Sequence, residues 1–268
     1  MNADEELRLR EIADDLERAS EWHDLWGGER PSESTRVRAG SDLDLDDKAA
    51  HPYQVSHAAW AAMVAAVNHL LCLRESLVVQ KDETNLKMRL HTHGQCTLMR
   101  GALENASSAV WLLESDDHQQ RILRRLQQAR AEMADLDKVR EMTGQPPPRS
   151  TAVRLGELAD LARSAGIDPR DIRQKTQYGT IVGAAGKHVL SDADAAVVLW
   201  KICSALAHGE TTGMLAYLDM RVVAQASPGV ALAGVTANVS LIRAGVGTAV
   251  RTTQLAHDLY ARRAGNSV

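Results

Sequence analysis

The sequence predicts an all-α protein, a multi-helix bundle of about seven or eight helices. None of the 268 residues is Phe, so the core must be filled mainly by Leu, Val, Ala and Met, which suit helices better than sheets. Apolar residues also recur at helical spacing through most of the chain, and caps or Gly and Pro stops separate these stretches. Helices with such apolar faces pack against one another as a bundle.

The first 52 residues differ from the rest. Residues 3–26 predict an amphipathic helix that contains Trp22 and Trp26, and a Gly pair stops it. Residues 27–52 are polar and rich in turn formers, which predicts a loop or linker. We therefore divide the chain into an acidic N-terminal helix and linker, residues 1–52, and a helical bundle domain, residues 53–268.

The remaining sequence predicts the helices of the bundle in order. Ser56 is the predicted cap of the first, and Pro146 to Pro148 form the clearest internal joint. The Gly spacing of residues 178–189 weakens a helix there, and short strands fit residues 217–234. The helices are predicted over about residues 56–80, 85–114, 116–142, 151–165, 191–208 and 236–263.

The formal net charge of −4 combines two unlike parts. Residues 1–50 carry a net charge of −8, and the remaining residues carry +4. One interpretation is an acidic, solvated arm on a nearly neutral body. The other is a mildly basic surface that meets phosphates and that the acidic arm is able to cover.

Composition also limits the location and the chemistry. The chain has three widely spaced cysteines and no apolar leader after the first Met, which favours a reduced, cytoplasmic protein. Residues 229–250 are too polar for a membrane span. The sequence has no Gly-rich phosphate loop, HExxH or GxSxG motif, which counts against common nucleoside triphosphatases, zinc proteases and α/β-hydrolases. No cofactor and no metal are expected.

One predicted helix, residues 194–208, is apolar except for a single stripe. With 100° per residue, Asp194, Lys201, Ser204 and His208 fall within an arc of about 80°. The stripe is either the exposed edge of a buried helix, with Lys201 reaching water, or a site. In a site, His208 acts as a general base or acid, Lys201 supplies positive charge, and Ser204 is a less favoured nucleophile.

This stripe resembles a known motif. Lys201, six intervening residues and His208 form a K-x6-H pattern that resembles the R-x4-6-H motif of the HEPN superfamily. The resemblance implies a HEPN-like helical core, and a metal-independent ribonuclease of toxin or defence type that dimerises to bring two motifs together. In this resemblance His208 matches the catalytic histidine and Lys201 the basic residue. Lys keeps the charge of Arg but lacks its bidentate fork.

A second helix, residues 96–114, carries Arg100 and Glu104 four residues apart among small residues. They form either a surface ion pair or part of a site. We expect them to face Ser204 and His208 across a helix–helix contact, with Glu104 orienting the imidazole. This R-x3-E helix followed by S-x3-H-G is also similar to uncharacterised helical proteins from actinobacteria and their phages.

Two further groups are weaker candidates. His93 and Cys96 share a helical face and His91 does not, so ordinary surface histidines are favoured over a zinc site. The basic helix of residues 121–140 presents either a solvated face or a phosphate-contacting surface; its candidate residues are Arg121, Arg124 and Arg125.

These observations lead to two functional hypotheses. The first is a HEPN-like protein that binds or cleaves RNA, as a homodimer, in defence or phage–host conflict. In its catalytic form His208 takes a ribose 2′-OH proton, and Lys201 or Arg100 stabilises the charge on phosphorus. The second is a non-catalytic interaction or regulatory protein, with a structural polar cluster, whose N-terminal helix docks on a protein partner through Trp22 and Trp26.

Overall fold

The computed structural model describes residues 3–26, 33–82 and 85–266. Within these ranges the chain forms ten α-helices and two antiparallel two-stranded sheets. The helices are α1 (Ala3–Trp26), α2 (Asp42–Ala50), α3 (Val55–Leu77), α4 (Gly94–Leu113), α5 (His118–Thr143), α6 (Thr151–Ser164), α7 (Tyr178–Val189), α8 (Ala193–Ala207), α9 (Thr211–Tyr217) and α10 (Val239–Arg263). The strands are β1 (Val78–Lys81) and β2 (Leu86–Met88), then β3 (Asp219–Ser227) and β4 (Val230–Thr236). The mainly helical character is confirmed, with more helices than predicted.

The main core lies around α4, which packs against α3 and α10 and also against α7 and α8. Small residues allow this close approach. A Cβ atom built on Gly101 of α4 would lie 2.6 Å from Nε2 of His69 on α3. A Cβ atom on Gly245 of α10 would lie 2.5 Å from the sulfur of Met99. Both distances are shorter than a carbon contact tolerates, so glycine sets the spacing of these helices.

A second, smaller core joins α2, α5 and α6 through buried residues that include Ile122, Leu126 and Leu158. The predicted joint ends α5: Gly144 has a φ of +67° and caps the helix before the prolines. Because α5 and α6 share this core, the joint separates two helices of one packed unit.

The N-terminal helix α1 is part of the main core. Ile12 and Leu16 have no exposed surface, and they belong to the same hydrophobic cluster as α3, α4 and α10. Trp22 and Trp26 are 5% and 3% exposed. The Trp26 ring packs edge-on against Trp60, with ring centroids 4.7 Å apart. The predicted division at residue 52 therefore does not coincide with a break in the core, and Trp22 and Trp26 are not available to a docking partner.

The predicted linker of residues 27–52 is wrong for residues 42–50, which form α2; residues 27–32 lie outside the described residues. Ser41 caps α2, because its hydroxyl accepts a hydrogen bond from the Asp44 backbone N–H. Asp46 is completely buried, and the guanidinium of Arg121 on α5 grips its two oxygens at 2.5 and 3.0 Å. His118 also contacts Asp46. The acidic residues of this segment suggested that it is solvated. Asp46 is buried instead, because it pairs with the buried Arg121.

Three other boundaries also differ from the predictions. Helix α3 begins after Gln54, and Ser56, the predicted cap, instead donates its hydroxyl to the Asp47 carboxylate. Helix α4 begins only at Gly94, because β2 pairs with β1 ahead of it. Residues 178–189 are a helix: a Cβ on Gly186 would lie 2.5 Å from Cβ of Ala196, so its glycines fit α7 tightly against α8.

The prediction of strands after Tyr217 is confirmed by β3 and β4, which the short helix α9 precedes. Among the described residues, α3 is the one helix long and apolar enough to cross a membrane by length and composition. Nine of its residues are buried within the fold, as in the central helix of a globular protein.

We predict that replacing Arg121 by Leu lowers the free energy of unfolding by about 3–5 kcal/mol, because the buried carboxylate of Asp46 loses its strongest partner. Urea denaturation measures this loss. The double variant Arg121→Leu with Asp46→Leu should recover much of it, since no buried charge remains. A loss below about 1 kcal/mol in the single variant would contradict a structural role for the pair.

Candidate functional site

The candidate site lies where α4 and α8 pack side by side in opposite directions. At one end Nδ1 of His93 lies 2.8 Å from the carbonyl oxygen of Leu206. Further along, the buried thiols of Cys96 and Cys203 are neighbours. Their hydrogen bond lowers the pKa of Cys96, and the same hydrogen bond, together with burial, raises the pKa of Cys203. These contacts hold the two helices in a fixed register.

This register brings Arg100 of α4 to His208 at the C-terminal end of α8. The Nη1 atom of Arg100 lies 2.9 Å from Nε2 of His208. The Arg100 side chain is 27% exposed, and His208 is exposed. His208 holds this position because it caps α8, and Gly209 with φ of +67° follows it as the sequence predicts. An imidazole and a guanidinium therefore stand together at the protein surface.

Glu104 anchors the guanidinium from its other side. Its Oε1 accepts hydrogen bonds from Nε of Arg100 at 2.7 Å and from the indole N–H of Trp200 at 2.6 Å. We expected Glu104 to orient the imidazole of His208. That expectation is wrong in its detail, because Glu104 bonds Arg100 and Trp200, and Arg100 is the group that contacts His208.

Lys201 and Ser204 line a separate open groove of about 570 Å³ between α8 and α9. Lys201 is exposed and Ser204 is half-buried. Lys201 and His208 are seven positions apart on the helix, which is about 10 Å along the axis. The imidazole therefore has Arg100, and not Lys201, as its cationic neighbour. Glu210 also lines the groove.

Two of the three predicted phosphate-binding arginines face inward. Arg121 is 2% exposed and is held by Asp46. The Arg124 side chain is 14% exposed, pairs with Glu114 at 3.2 Å and lies over the Trp111 ring. Burial lowers the pKa of Arg124. The prediction that Arg121 and Arg124 contact phosphates is wrong, because Asp46 and Glu114 already pair with them within the fold. Arg125 lines a different cavity.

The histidine and cysteine group is also dispersed. His93 contacts the carbonyl of Leu206, and Cys96 lies beside Cys203. In the described parts of the chain no three His, Cys, Asp or Glu side chains stand together as a metal site would require.

Sequence reasoning missed Trp200, which we treated as part of the apolar surface of the helix. It stands one turn before Ser204, so the helical period places it beside the polar stripe. A partly buried indole N–H usually has a hydrogen-bond partner. This requirement was the signal that could have indicated Trp200 as a neighbour of a polar group.

Comparisons with known proteins identify no relative: no family model, no curated protein and no solved structure matches this chain. The chemistry of the site is therefore argued from its own residues.

The geometry predicts the tautomer of His208. A guanidinium only donates hydrogen bonds, so Nε2 accepts and the neutral ring carries its proton on Nδ1. We expect ¹⁵N NMR at about pH 8 to show this Nδ1–H form. The variant Arg100→Leu should shift the ring towards the Nε2–H form, and His208→Gln assigns the signal. An unchanged tautomer in Arg100→Leu would contradict the contact.

Proposed function

We propose that this chain is a cytoplasmic, HEPN-like protein that binds RNA and cleaves it without a metal ion, acting in defence or phage–host conflict. The observation that carries the proposal is the exposed contact of 2.9 Å between Arg100 and His208. It supplies an arginine beside the histidine, which the K-x6-H pattern within α8 lacks.

Each group has a role suited to phosphodiester cleavage. The Nη1 of Arg100 leaves His208 and binds a phosphate oxygen, while its Nε stays on Glu104. The freed Nε2 of His208 takes the proton from the ribose 2′-OH, whose oxygen attacks phosphorus. The P–O5′ bond breaks, and the 5′ oxygen takes a proton from a water molecule. The proton held by His208 then passes to the hydroxide that remains, which restores the water and the neutral imidazole. The products are a 2′,3′-cyclic phosphate and a 5′-hydroxyl, and Arg100 stabilises the charge that builds on phosphorus.

Lys201 then contacts a neighbouring phosphate, since it lies about 10 Å from His208 along α8. Ser204 contributes to the wall of the groove and takes no part in proton transfer. With about two phosphate contacts, binding of single-stranded RNA should weaken with salt at a logarithmic slope of about −1.4.

The test is cleavage of an end-labelled single-stranded RNA in the presence of a metal chelator. Proton transfer by a positioned histidine contributes about 10²–10⁴-fold, so His208→Ala should lower the cleavage rate by about a hundredfold or more. Arg100→Leu should also lower the rate. His23→Ala is the matched control, because His23 is an exposed histidine on α1.

Equal cleavage by the wild type and His208→Ala, with both proteins folded by circular dichroism, would contradict the mechanism. Inhibition of the wild type by the chelator would contradict its metal independence. Absence of any RNA binding by the wild type would overturn the proposal as a whole.

One observation favours a second role, as an interaction protein that forms homodimers. The hairpin of β3 and β4 has large apolar side chains exposed on both strands. Val222 and Val223 are each 66% exposed, and Leu232 is 60% exposed. An isolated two-stranded hairpin is only marginally stable in water, so this segment gains from further strands.

A second copy of this chain is the occupant that fits the hairpin. Within the described ranges no other strand pairs with β3 or β4, so each presents an outer edge that is a template for pairing with another strand. The hairpin carries only two charged residues, Asp219 and Arg221, both near the start of β3. Antiparallel pairing of β3 with its own copy places these charges opposite the uncharged far end, so like charges do not meet. Two hairpins then form one four-stranded sheet.

We expect sedimentation analysis to show a dimer for the wild type and a monomer for Val223→Lys, because a lysine at the centre of the strand disfavours edge pairing. Val198→Lys is the control, an exposed valine on α8 that is 53% exposed. A monomeric wild type at all concentrations, or a dimer that survives Val223→Lys, would sink this arrangement.

A further inference from the structure

A cavity of about 560 Å³ opens among α3, α4, α5 and α7, separate from the Arg100–His208 contact. This volume lies in the range of pockets that hold small molecules, about 300–1,000 Å³. Its walls include the apolar residues Trp111, Ile181 and Ala131. They also include polar residues of α5, among them Arg125 and Gln128, which are three residues apart on the helix.

The guanidinium of Arg125 is shielded but poorly satisfied. Only 11% of its side chain is exposed, and its Nε is buried without a hydrogen-bond partner. Its terminal nitrogens reach one oxygen of Glu132 at 3.4 and 3.5 Å, which is the outer limit of a hydrogen bond. Arg121 on the same helix is better satisfied, because it donates two hydrogen bonds to the Asp46 carboxylate at 2.5 and 3.0 Å. A buried donor left without an acceptor costs about 1–3 kcal/mol, more when it is charged.

The acid now beside Arg125 is able to leave. The Glu132 side chain is 64% exposed, so it turns into water without loss of hydration. Gln128 is already held in place, because its amide donates to the Ser108 hydroxyl at 3.1 Å. An incoming anion is therefore able to replace Glu132 on Arg125, while Gln128 keeps its position.

We propose that this cavity binds a small molecule with a single anionic group, a carboxylate or a phosphate, on a flat apolar body. The anion replaces Glu132 on Arg125, and the apolar body lies against Trp111 and Ile181. Asp135 and Lys175 line the same cavity and offset one another, so one anionic group on the ligand balances the charge of Arg125. The site is thus distinct from the one proposed for RNA.

The test uses the full chain and three probes that share one aromatic body: naphthoate, naphthyl phosphate and naphthamide. Isothermal titration calorimetry should show that naphthoate binds at least about tenfold more tightly than naphthamide, since only naphthoate pairs with the guanidinium. Naphthyl phosphate distinguishes a phosphate ligand from a carboxylate ligand; we expect it to bind less tightly, because Arg125 balances only one of its two negative charges.

Variants locate the binding. Arg125→Gln should weaken naphthoate binding at least about tenfold, and Arg130→Gln, on the same helix but outside the cavity, should not. Ala131→Leu adds a larger side chain to the cavity wall without changing charge, so it should also weaken naphthoate binding. This variant keeps the test decisive even if Arg125→Gln fails to fold. No measurable binding of either anion to the wild type, equal binding of naphthamide, or undiminished binding to Ala131→Leu overturns the proposal.

Discussion

Close approach of helices to α4 is the constraint on which the rest of the structure depends. Gly101 of α4 lies against the His69 side chain of α3, and Gly245 of α10 lies against the Met99 side chain of α4, so a larger residue at either position would displace that side chain. The same tight packing aligns α8 with α4 in one register. Arg100 reaches His208 only because of that register, so the site follows directly from the way the core is filled.

Pairing of opposite charges is the second organising feature. The acidic N-terminal residues are matched by basic residues of the body: Arg243 bonds Glu11 and Asp15, and Lys81 bonds Asp14 and Glu17. Most of these pairs are partly exposed and each contributes little by itself. The Asp46–Arg121 pair is buried and acts differently, because removing one partner leaves an uncompensated charge. The acidic arm thus covers part of the basic body, one of the two interpretations that the charge distribution allowed.

The two binding proposals use opposite kinds of environment, one around Arg100 on α4 and the other around Arg125 on α5. At Arg100 the guanidinium is partly exposed and anchored by Glu104, so it reaches a long, flexible polymer without losing its position. At Arg125 the guanidinium is shielded and weakly paired, which favours a small ligand that brings its own charge. Shielding from water strengthens an ion pair but limits the size of what enters.

Sequence by itself determined the helical class, the ends of α1, α5, α6 and α8, and the polar stripe that holds His208. These features follow from local rules, because apolar periodicity, caps and Gly stops act within a few residues. Tertiary structure alone decided that α2 is a helix, that Arg121 and Arg124 turn inward, and that Glu104 holds Arg100 and Trp200 instead of the imidazole. The physical reason is that a charged side chain takes whichever partner the fold brings within reach. Asp46 of α2 bonds His118 and Arg121 of α5, which are 72 and 75 residues away in the chain. No local sequence pattern predicts contacts at such separations.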